Sequence, residues 1–271
     1  MPLAPPGSIR LRVAAAAAGL LAAGYVIARV TGAPAAAADG AAPTPPPGAD
    51  DPANPAIFIE GGTFLSGNER AGDDGILHGP RSTVDEGARR QTVAGFWIQE
   101  HEVTNEEYDR FDPSHEFPAG MGRHPVVDVT WEAALAYARS VGGALPTETQ
   151  WELAARGLAS REYPWGDAEP DCDLAHYGGC EPRGTLPVKS LPAGATPVGV
   201  HDLAGNVWEW VTPDWFEPRM RFGNPETRRM RGGSFLEDEF FLRAANRNRG
   251  FFDGFRWESV GFRVVWAAAG G

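Results

Sequence analysis

The chain has 271 residues and a mass of 29.0 kDa, which allows one large domain or two small ones. Its 42% apolar and 22% charged residues, with 9 Trp and 14 Phe, exclude wholesale disorder. A formal net charge of −12 leaves no phosphate-seeking surface, so nucleic acid is not an expected partner. The abundance of Gly (34) and Pro (24) excludes a helical bundle in favour of short elements and ordered loops.

Arg10 and Arg12 precede an uncharged apolar run at 13–28, which Arg29 closes. A run of that length is either a signal-peptide core or a short membrane anchor. Residues 1–38 are therefore expected to direct export, by cleavage after Ala36-Ala37-Ala38 or by remaining as an inner-membrane anchor. The expected location is extracytoplasmic, periplasmic or secreted. The Pro/Ala-rich stretch 39–55, with Pro45-Pro46-Pro47, predicts a stiff linker. A folded domain is expected over 56–267.

Residues 57–64, β-branched and aromatic around Gly61-Gly62, predict a short hairpin, and Phe96-Trp97-Ile98 predicts another strand. Thr104 with Glu107 forms a capping-box pattern that opens a helix through Phe111. Thr130 caps a helix over 131–141, with Ala134, Leu135, Ala138 and Val141 on one face and Gly142-Gly143 as its stop. Thr147 and Gln150 repeat the capping box before Trp151 to Arg156, and Gly157 ends that helix. Beyond it no helical period persists. The fold class is α+β, loop-rich, with few short helices and small antiparallel sheets.

Eight motifs follow in order: Gly-Gly-Thr-Phe at 61–64, Glu-Val-Thr-Asn-Glu-Glu-Tyr at 102–108, His-Pro-Val-Val at 124–127 with Val129-Thr130-Trp131, and Leu-Pro-Thr-Glu at 145–148 with Gln150-Trp151-Glu152. Tyr-Pro-Trp-Gly at 163–166, Asp-Leu-Ala-Gly-Asn-Val-Trp-Glu-Trp at 202–210, Arg-Gly-Gly-Ser-Phe at 231–235 and Gly-Phe-Arg at 261–263 complete the series. In this order they resemble the formylglycine-generating enzyme, or sulfatase-modifying factor, family. The resemblance spans 57–265 and implies that family's compact variant of the C-type-lectin-like fold.

Family members that make formylglycine carry two thiols after the Gly-Gly-Ser strand, bind copper(I) with them, and oxidise a cysteine of an unfolded sulfatase segment with dioxygen. Soft sulfur ligands are what hold copper in its reduced state. Here the first thiol position is Glu237, and Asp238 to Arg243 contain no sulfur. Copper is not expected. The resemblance implies a site of Glu237, Ser234 and Trp208 as catalytic candidates, with Arg247, Trp257 and Ser259 as substrate-binding candidates. In one reading Glu237 acts as general base or metal-holding group of an oxidoreductase-like, non-thiol branch. In others the domain is a peptide-binding module without chemistry, or an envelope scaffold. The expected partner is a peptide, protein or small molecule in the envelope, with membrane contact only through the N-terminal segment.

The two cysteines, Cys172 and Cys180, read first as a local disulfide in an exported chain, with a redox role supported only by His176 between them. Asp202 and Glu209 are hard oxygen donors, and Gly205 and Val207 can turn carbonyls inward. That is a calcium-type set, and the resemblance implies a structural Ca²⁺ at these four positions. Asp173 with the Leu174 carbonyl resembles part of a second calcium site. The six His have no metal-ligand spacing, and Ser234 lies outside a Gly-x-Ser-x-Gly elbow, so neither a zinc site nor a hydrolase triad is expected. Arg219, Arg221, Arg228, Arg229 and Arg231 form a basic run against Glu226, expected to grip an anion or to pair with nearby acids such as Glu237-Asp238-Glu239.

Overall fold

The computed structural model describes residues 43–67, 88–214, 228–251 and 254–268, all within one unit spanning 41–271. The export segment expected at 1–38 lies outside the described residues, as do Arg219, Arg221 and Glu226. No helix among the described residues is long and apolar enough to cross a membrane.

Threonine hydroxyls start all three α-helices among the described residues. In α1 (Asn105–Phe111), Thr104 Oγ1 accepts the Glu107 N–H and Glu107 Oε2 accepts the Thr104 N–H, a complete capping box. Thr130 caps α2 (Trp131–Ser140) through the Ala133 N–H at 3.1 Å. Thr147 and Gln150 box α3 (Glu148–Arg156), which begins three residues before the predicted start because the helix opens directly after its cap. Gly157, at φ +60°, ends it as expected.

The hairpin predicted within 57–64 does not form. Strand β1 (Ala56–Ile59) and strand β2 (Gly62–Ser66) pair instead with β4 (Phe96–Gln99) and β3 (Arg89–Val93). The register Ala56 with Gln99 continues unbroken to Gly62 with Val93, so the two runs are arms of one long antiparallel ribbon. At its kink a Cβ on Gly61 would lie 2.3 Å from the Gly95 nitrogen. The glycine pair serves close backbone approach, not a turn.

Strand β9 (Val265–Ala267) adds to β4 antiparallel. A second sheet has the order β7 (Asn248–Phe251), β6 (Arg228–Arg231), β5 (Trp208–Val211), β8 (Val260–Gly261). Its β5–β8 pair is parallel, the one departure among the named strands from the expected antiparallel pairing.

The predicted linker also needs correction, because residues 43–55 belong to the fold. Ala49 is 1% exposed, the Asn54 side chain exchanges hydrogen bonds with the His101 main chain, and the Glu100 N–H donates to Pro55. Gly48 sits at φ +89° where a Cβ would lie 2.1 Å from the Val141 carbonyl oxygen. Proline richness here stiffens a segment that docks.

The core has two main parts. One gathers Trp97, Tyr108, Tyr137, Trp208, Trp210, Phe262 and Trp266; the other surrounds Trp151 and Leu153 of α3 with Phe64, Phe96, Ile98 and Leu203. On α2, Ala134, Tyr137 and Ala138 are buried while Leu135 and Val141 are only partly covered. Along α3 the charged residues are buried too. Glu152 accepts from Arg231 (3.0 Å), Arg156 (2.9 Å), Ser66 (2.9 Å) and the Gly67 N–H (2.7 Å), and Glu148 bonds to Arg229. The expected pairing of Arg229 and Arg231 with Glu237 to Glu239 is thus replaced by pairing with α3, and Arg228 pairs with Glu132 while lying over Trp131.

Burial alone would raise the Glu152 pKa, but Arg231, Arg247, the Gly67 N–H and Arg156 outweigh it and hold the carboxyl below the ordinary value of 4.5. Its stabilising share is complete above that ordinary value and is lost as pH falls through the lowered one. Glu152→Gln, which strands buried guanidinium groups, should cost about 3–5 kcal/mol in urea melts at neutral pH. Glu132→Gln at the exposed Arg228 pair should cost less than about 1 kcal/mol. The gap between Glu152→Gln and wild type should narrow in acid; a constant gap from pH 7 to pH 3 would contradict this account.

Candidate functional site

The turn after β6 places the predicted catalytic residues. Gly232 and Gly233 both have positive φ, +103° and +77°, which a side chain would oppose, and a Cβ on Gly233 would touch the Phe241 carbonyl oxygen at 3.0 Å. The chain thereby swings Ser234 inward, fully buried. Its Oγ donates to Glu237 Oε2 and accepts the Leu236 N–H at 3.2 Å. Asp238 accepts the Phe240 N–H at 3.1 Å and caps a 3₁₀ turn over Glu239–Leu242. That turn lays Phe241 edge-to-face on Trp208, with ring centroids 6.2 Å apart.

Trp208 is itself 1% exposed, so it floors the site from below Phe241 and has no open face of its own. Its main-chain N–H donates to the Ser259 carbonyl at 2.8 Å. Its indole Nε1 and the Ser259 Oγ are both buried without a hydrogen-bond partner among the described residues. Ser259 is fully buried and Trp257 is half-buried, edge-on to Phe255. Arg247 is fully buried, 3.7 Å from Glu148 and 3.8 Å from Glu152. Arg247, expected to bind substrate, is thus placed in the α3 ion network. Ser259 in turn lies behind Trp208 and away from solvent.

One wall was not anticipated. Cys172 and Cys180 are joined, with Cα atoms 5.6 Å apart, and the loop they close packs on the site. The Gly178 N–H donates to the Glu237 carbonyl at 2.6 Å, and a Cβ on Gly178 would lie 2.7 Å from that oxygen. On its other side the His176 carbonyl accepts the Asn206 N–H at 2.8 Å. The loop is thus held between the Ser234–Glu237 turn and the Gly205–Asn206 turn. The Gly178-Gly179 pair was the sequence signal for this close approach.

Asp202 and Asn206 have left-handed backbones (φ +59° and +58°), and Gly205 is at +79°. Asp202 Oδ2 accepts the Lys189 N–H at 2.7 Å. Glu209 is fully buried and accepts Arg263 Nε on Oε2 (2.7 Å), Arg263 Nη2 on Oε1 (2.8 Å) and Trp151 Nε1 on Oε2 (2.8 Å). Glu102, absent from the predicted set, accepts Asn206 Nδ2 at 2.8 Å and the Val207 N–H at 3.3 Å. Burial raises the pKa of all three carboxyls. Mutual repulsion with Asp202 and Glu209 pushes Glu102 further, while Arg263 offsets part of the rise at each.

Three carboxylates around one guanidinium leave an excess of negative charge, which suits a divalent cation. Among the described residues, however, no three acidic, imidazole or thiol side chains converge as a metal set. An ion here would depend on main-chain carbonyls and on the one Glu209 lone-pair position that Arg263 and Trp151 leave unused. For the second calcium site, Asp171, and not Asp173, organises the loop, accepting the Asp173 and Leu174 N–H groups on Oδ1.

Residues 41–268 match the sulfatase-modifying factor enzyme 1-like domain. The chain belongs to this family. It is 34% identical over 206 residues to a formylglycine-generating enzyme of Streptomyces coelicolor, covering 67% of this chain and 63% of that one. It is also 34% identical over 195 residues to a hercynine oxygenase of Mycolicibacterium smegmatis, covering 65% and 45%. The chain spans less than two thirds of the length of these relatives. The solved structure of PvdO from Pseudomonas aeruginosa superposes with a TM-score of 0.63 at 23% identity over 83% of this chain and all of that one, which supports the family fold.

Because the disulfide loop is the outer wall of the site, reduction should loosen it. Opening the crosslink is expected to cost about 2–4 kcal/mol and to speed amide exchange at Gly178 more than at residues of α3. Equal exchange before and after reduction would show that packing alone holds the wall.

Proposed function

We propose that this chain is an extracytoplasmic member of the sulfatase-modifying factor family that binds a peptide or small molecule at the Ser234–Glu237 turn and has lost copper-thiolate chemistry. The observation that carries this reading is the residue at the first thiol position. There Glu237, a half-buried carboxylate, receives the Ser234 hydroxyl, and a hard oxygen ligand does not stabilise copper(I). Both cysteines of the chain are engaged in the Cys172–Cys180 bond. That bond, with the apolar run at 13–28, also supports export into an oxidising compartment. Glu237 keeps acceptor capacity beyond the Ser234 contact, which suits ligands that present N–H groups, such as peptides.

The same contact favours a second, enzymatic reading, in which Glu237 serves as a general base through the Ser234 hydroxyl in an oxidoreductase-like, non-thiol branch. Selection from a random peptide library separates the two. Peptides selected by wild type should bind Glu237→Gln at least about tenfold more weakly at an unchanged melting temperature, and should emerge chemically intact. Modified peptides would establish the enzymatic reading instead, and equal binding by Glu237→Gln would remove the site from the proposal. Incubation with copper(I) and a Cys-x-Pro-x-Arg peptide should yield no hydrazine-reactive aldehyde; any such aldehyde would restore the family's oxidase activity.

We further propose that Ca²⁺ binds through Asp202, Glu209 and the carbonyls of Gly205 and Val207. The excess negative charge around Arg263 supports it, and the ion would cross-link a segment that has no helix to hold it. Chelation should then lower the melting temperature, with up to about 2.7 kcal/mol recovered at a free concentration about 100 times the dissociation constant. Asp202→Asn should abolish the response. It is a cleaner probe than Glu209→Gln, which would also break the Arg263 pair. A melting curve indifferent to chelator and to added Ca²⁺ would reduce the segment to a turn.

A further inference from the structure

The loop closed by Cys172 and Cys180 is held in two unequal halves. Its first half is fastened without the crosslink. The Asp171 carbonyl accepts the Leu174 and Ala175 N–H groups at 3.1 and 3.0 Å, and the His176 carbonyl accepts the Asn206 N–H at 2.8 Å. A Cβ on Gly205 would lie 2.3 Å from that His176 oxygen, so the two backbones interlock. The His176 ring bonds through Nε2 to the Gly184 carbonyl at 2.7 Å, and Ala175 and Tyr177 pack in a cluster with Tyr163, Ala204 and Leu242.

The second half has far less. Among the described residues, Gly178 to Cys180 are tied by the Gly178 N–H on the Glu237 carbonyl (2.6 Å), the Cys180 N–H on the Tyr177 carbonyl (2.9 Å) and the exposed Arg183 guanidinium on the Gly178 carbonyl (3.2 Å). Of these, the first alone reaches the Ser234–Glu237 turn. The disulfide is what fastens this half to the first, and through it the wall of the site.

The two sulfurs also differ. Cys172 is an exposed residue, whereas Cys180 is 3% exposed. A thiolate arriving from solvent therefore meets the Cys172 sulfur, and Cys180 is the leaving group. The released thiol has a place prepared for it, because Cys180 Sγ lies 3.6 Å from the Ala175 carbonyl oxygen, within reach of an S–H donor.

We propose that the Cys172–Cys180 bond is a redox latch on the Ser234–Glu237 turn, opened by a thiol that attacks Cys172. The incoming thiolate forms a mixed disulfide with Cys172 and breaks the bond to Cys180, whose sulfur leaves with the electron pair and takes up a proton. A second thiol attacks the mixed disulfide and releases Cys172, so two thiols are oxidised to one disulfide while the protein disulfide is reduced to two thiols. Opening frees Gly178, and the Glu237 carbonyl loses its donor. Glu237 is left with its own N–H on the Ser234 carbonyl at 3.3 Å and its carboxylate on the Ser234 hydroxyl. Reclosure joins cysteines only 8 positions apart, one of them next to the fastened half, so removal of the thiol restores the wall. The effect on ligand binding rests on the function proposed above for this turn; the latch itself does not.

The full chain with its disulfide intact is treated with reduced glutathione, quenched with a maleimide and mapped by mass spectrometry. Glutathione should appear on Cys172 and maleimide on Cys180, with glutathione on Cys172 exceeding that on Cys180 at least about tenfold. Opening by reduced thioredoxin alone would assign the latch to a protein dithiol in place of a free thiol. Glutathione divided equally between the two cysteines, or a bond untouched by either reagent, would overturn the proposal.

A Cys172→Ser, Cys180→Ser double variant supplies the open form without reductant. Its Gly178 amide should exchange at least about tenfold faster than in the disulfide-bonded chain, while the Asn206 amide, whose acceptor lies in the first half, keeps its rate. Unchanged exchange at Gly178, or equal acceleration at both, would also overturn the proposal. Should the variant fail to fold, the same two amides are read in the glutathione-treated wild type. Peptides selected by the disulfide-bonded chain should bind the open form at least about fivefold more weakly. Equal binding with Gly178 freed would break the link to the turn and overturn the proposal, whereas a failure to select any peptide counts against the binding function alone, and the two amides still decide the latch.

Discussion

The buried pair of Glu209 and Arg263 is the constraint around which the rest of the domain is arranged. Arg263 forks onto both oxygens of Glu209 and gives its remaining N–H groups to the carbonyls of Gln99, Glu100 and His201. Trp151 completes the carboxylate. A fully buried ion pair is favourable only when the polar groups around it are well matched, and here the pair joins β5 to the segment just after β8 while its further partners come from α3, β4 and the loops at 100 and 201. The pair therefore fixes where separate layers meet. None of Trp151, Glu209 and Arg263 reaches solvent.

Much of what looks like active-site sequence is spent on this interior. Arg231 and Arg247 stand beside motifs that suggest ligand contact, yet both side chains end at α3. What remains at the surface end of the second sheet is small: a glycine-turned Ser234, the Glu237 that accepts its hydroxyl, and aromatic rings beneath them. The framework is shared with relatives named for different activities, which a common fold allows.

The parts of the fold readable from sequence were those governed by neighbours in the chain. Thr104, Thr130 and Thr147 announce helices because a cap acts across three residues. The ribbon of β1 to β4 was misread because Gly61-Gly62 looks the same whether the chain turns back or merely passes close to another backbone, and only residues 94–95 decide between these. The burial of Arg247 was not legible for a similar reason, since charge is visible in sequence and burial is not. The contact of Gly178 with Glu237 spans 59 positions and left no periodic trace, only a pair of glycines in a loop already assigned to a disulfide. The docked stretch at 43–55 has the composition of a spacer, and its attachment rests on the burial of Ala49, the Asn54 side chain and individual main-chain bonds, none of which composition encodes.

Lys189 is the one lysine in the chain. Its main-chain N–H holds Asp202, and its amine, about one third exposed, reaches Glu100 at 2.7 Å. Every other side-chain cation is a guanidinium, inert towards the reagents that acylate amines. Any dye, surface linker or crosslinker aimed at amines can therefore attach to this domain at a single internal address, directly over the acidic loop. The molecule thus carries a ready-made point for orienting it on a surface, and the same coupling would also remove the charge that faces Glu100.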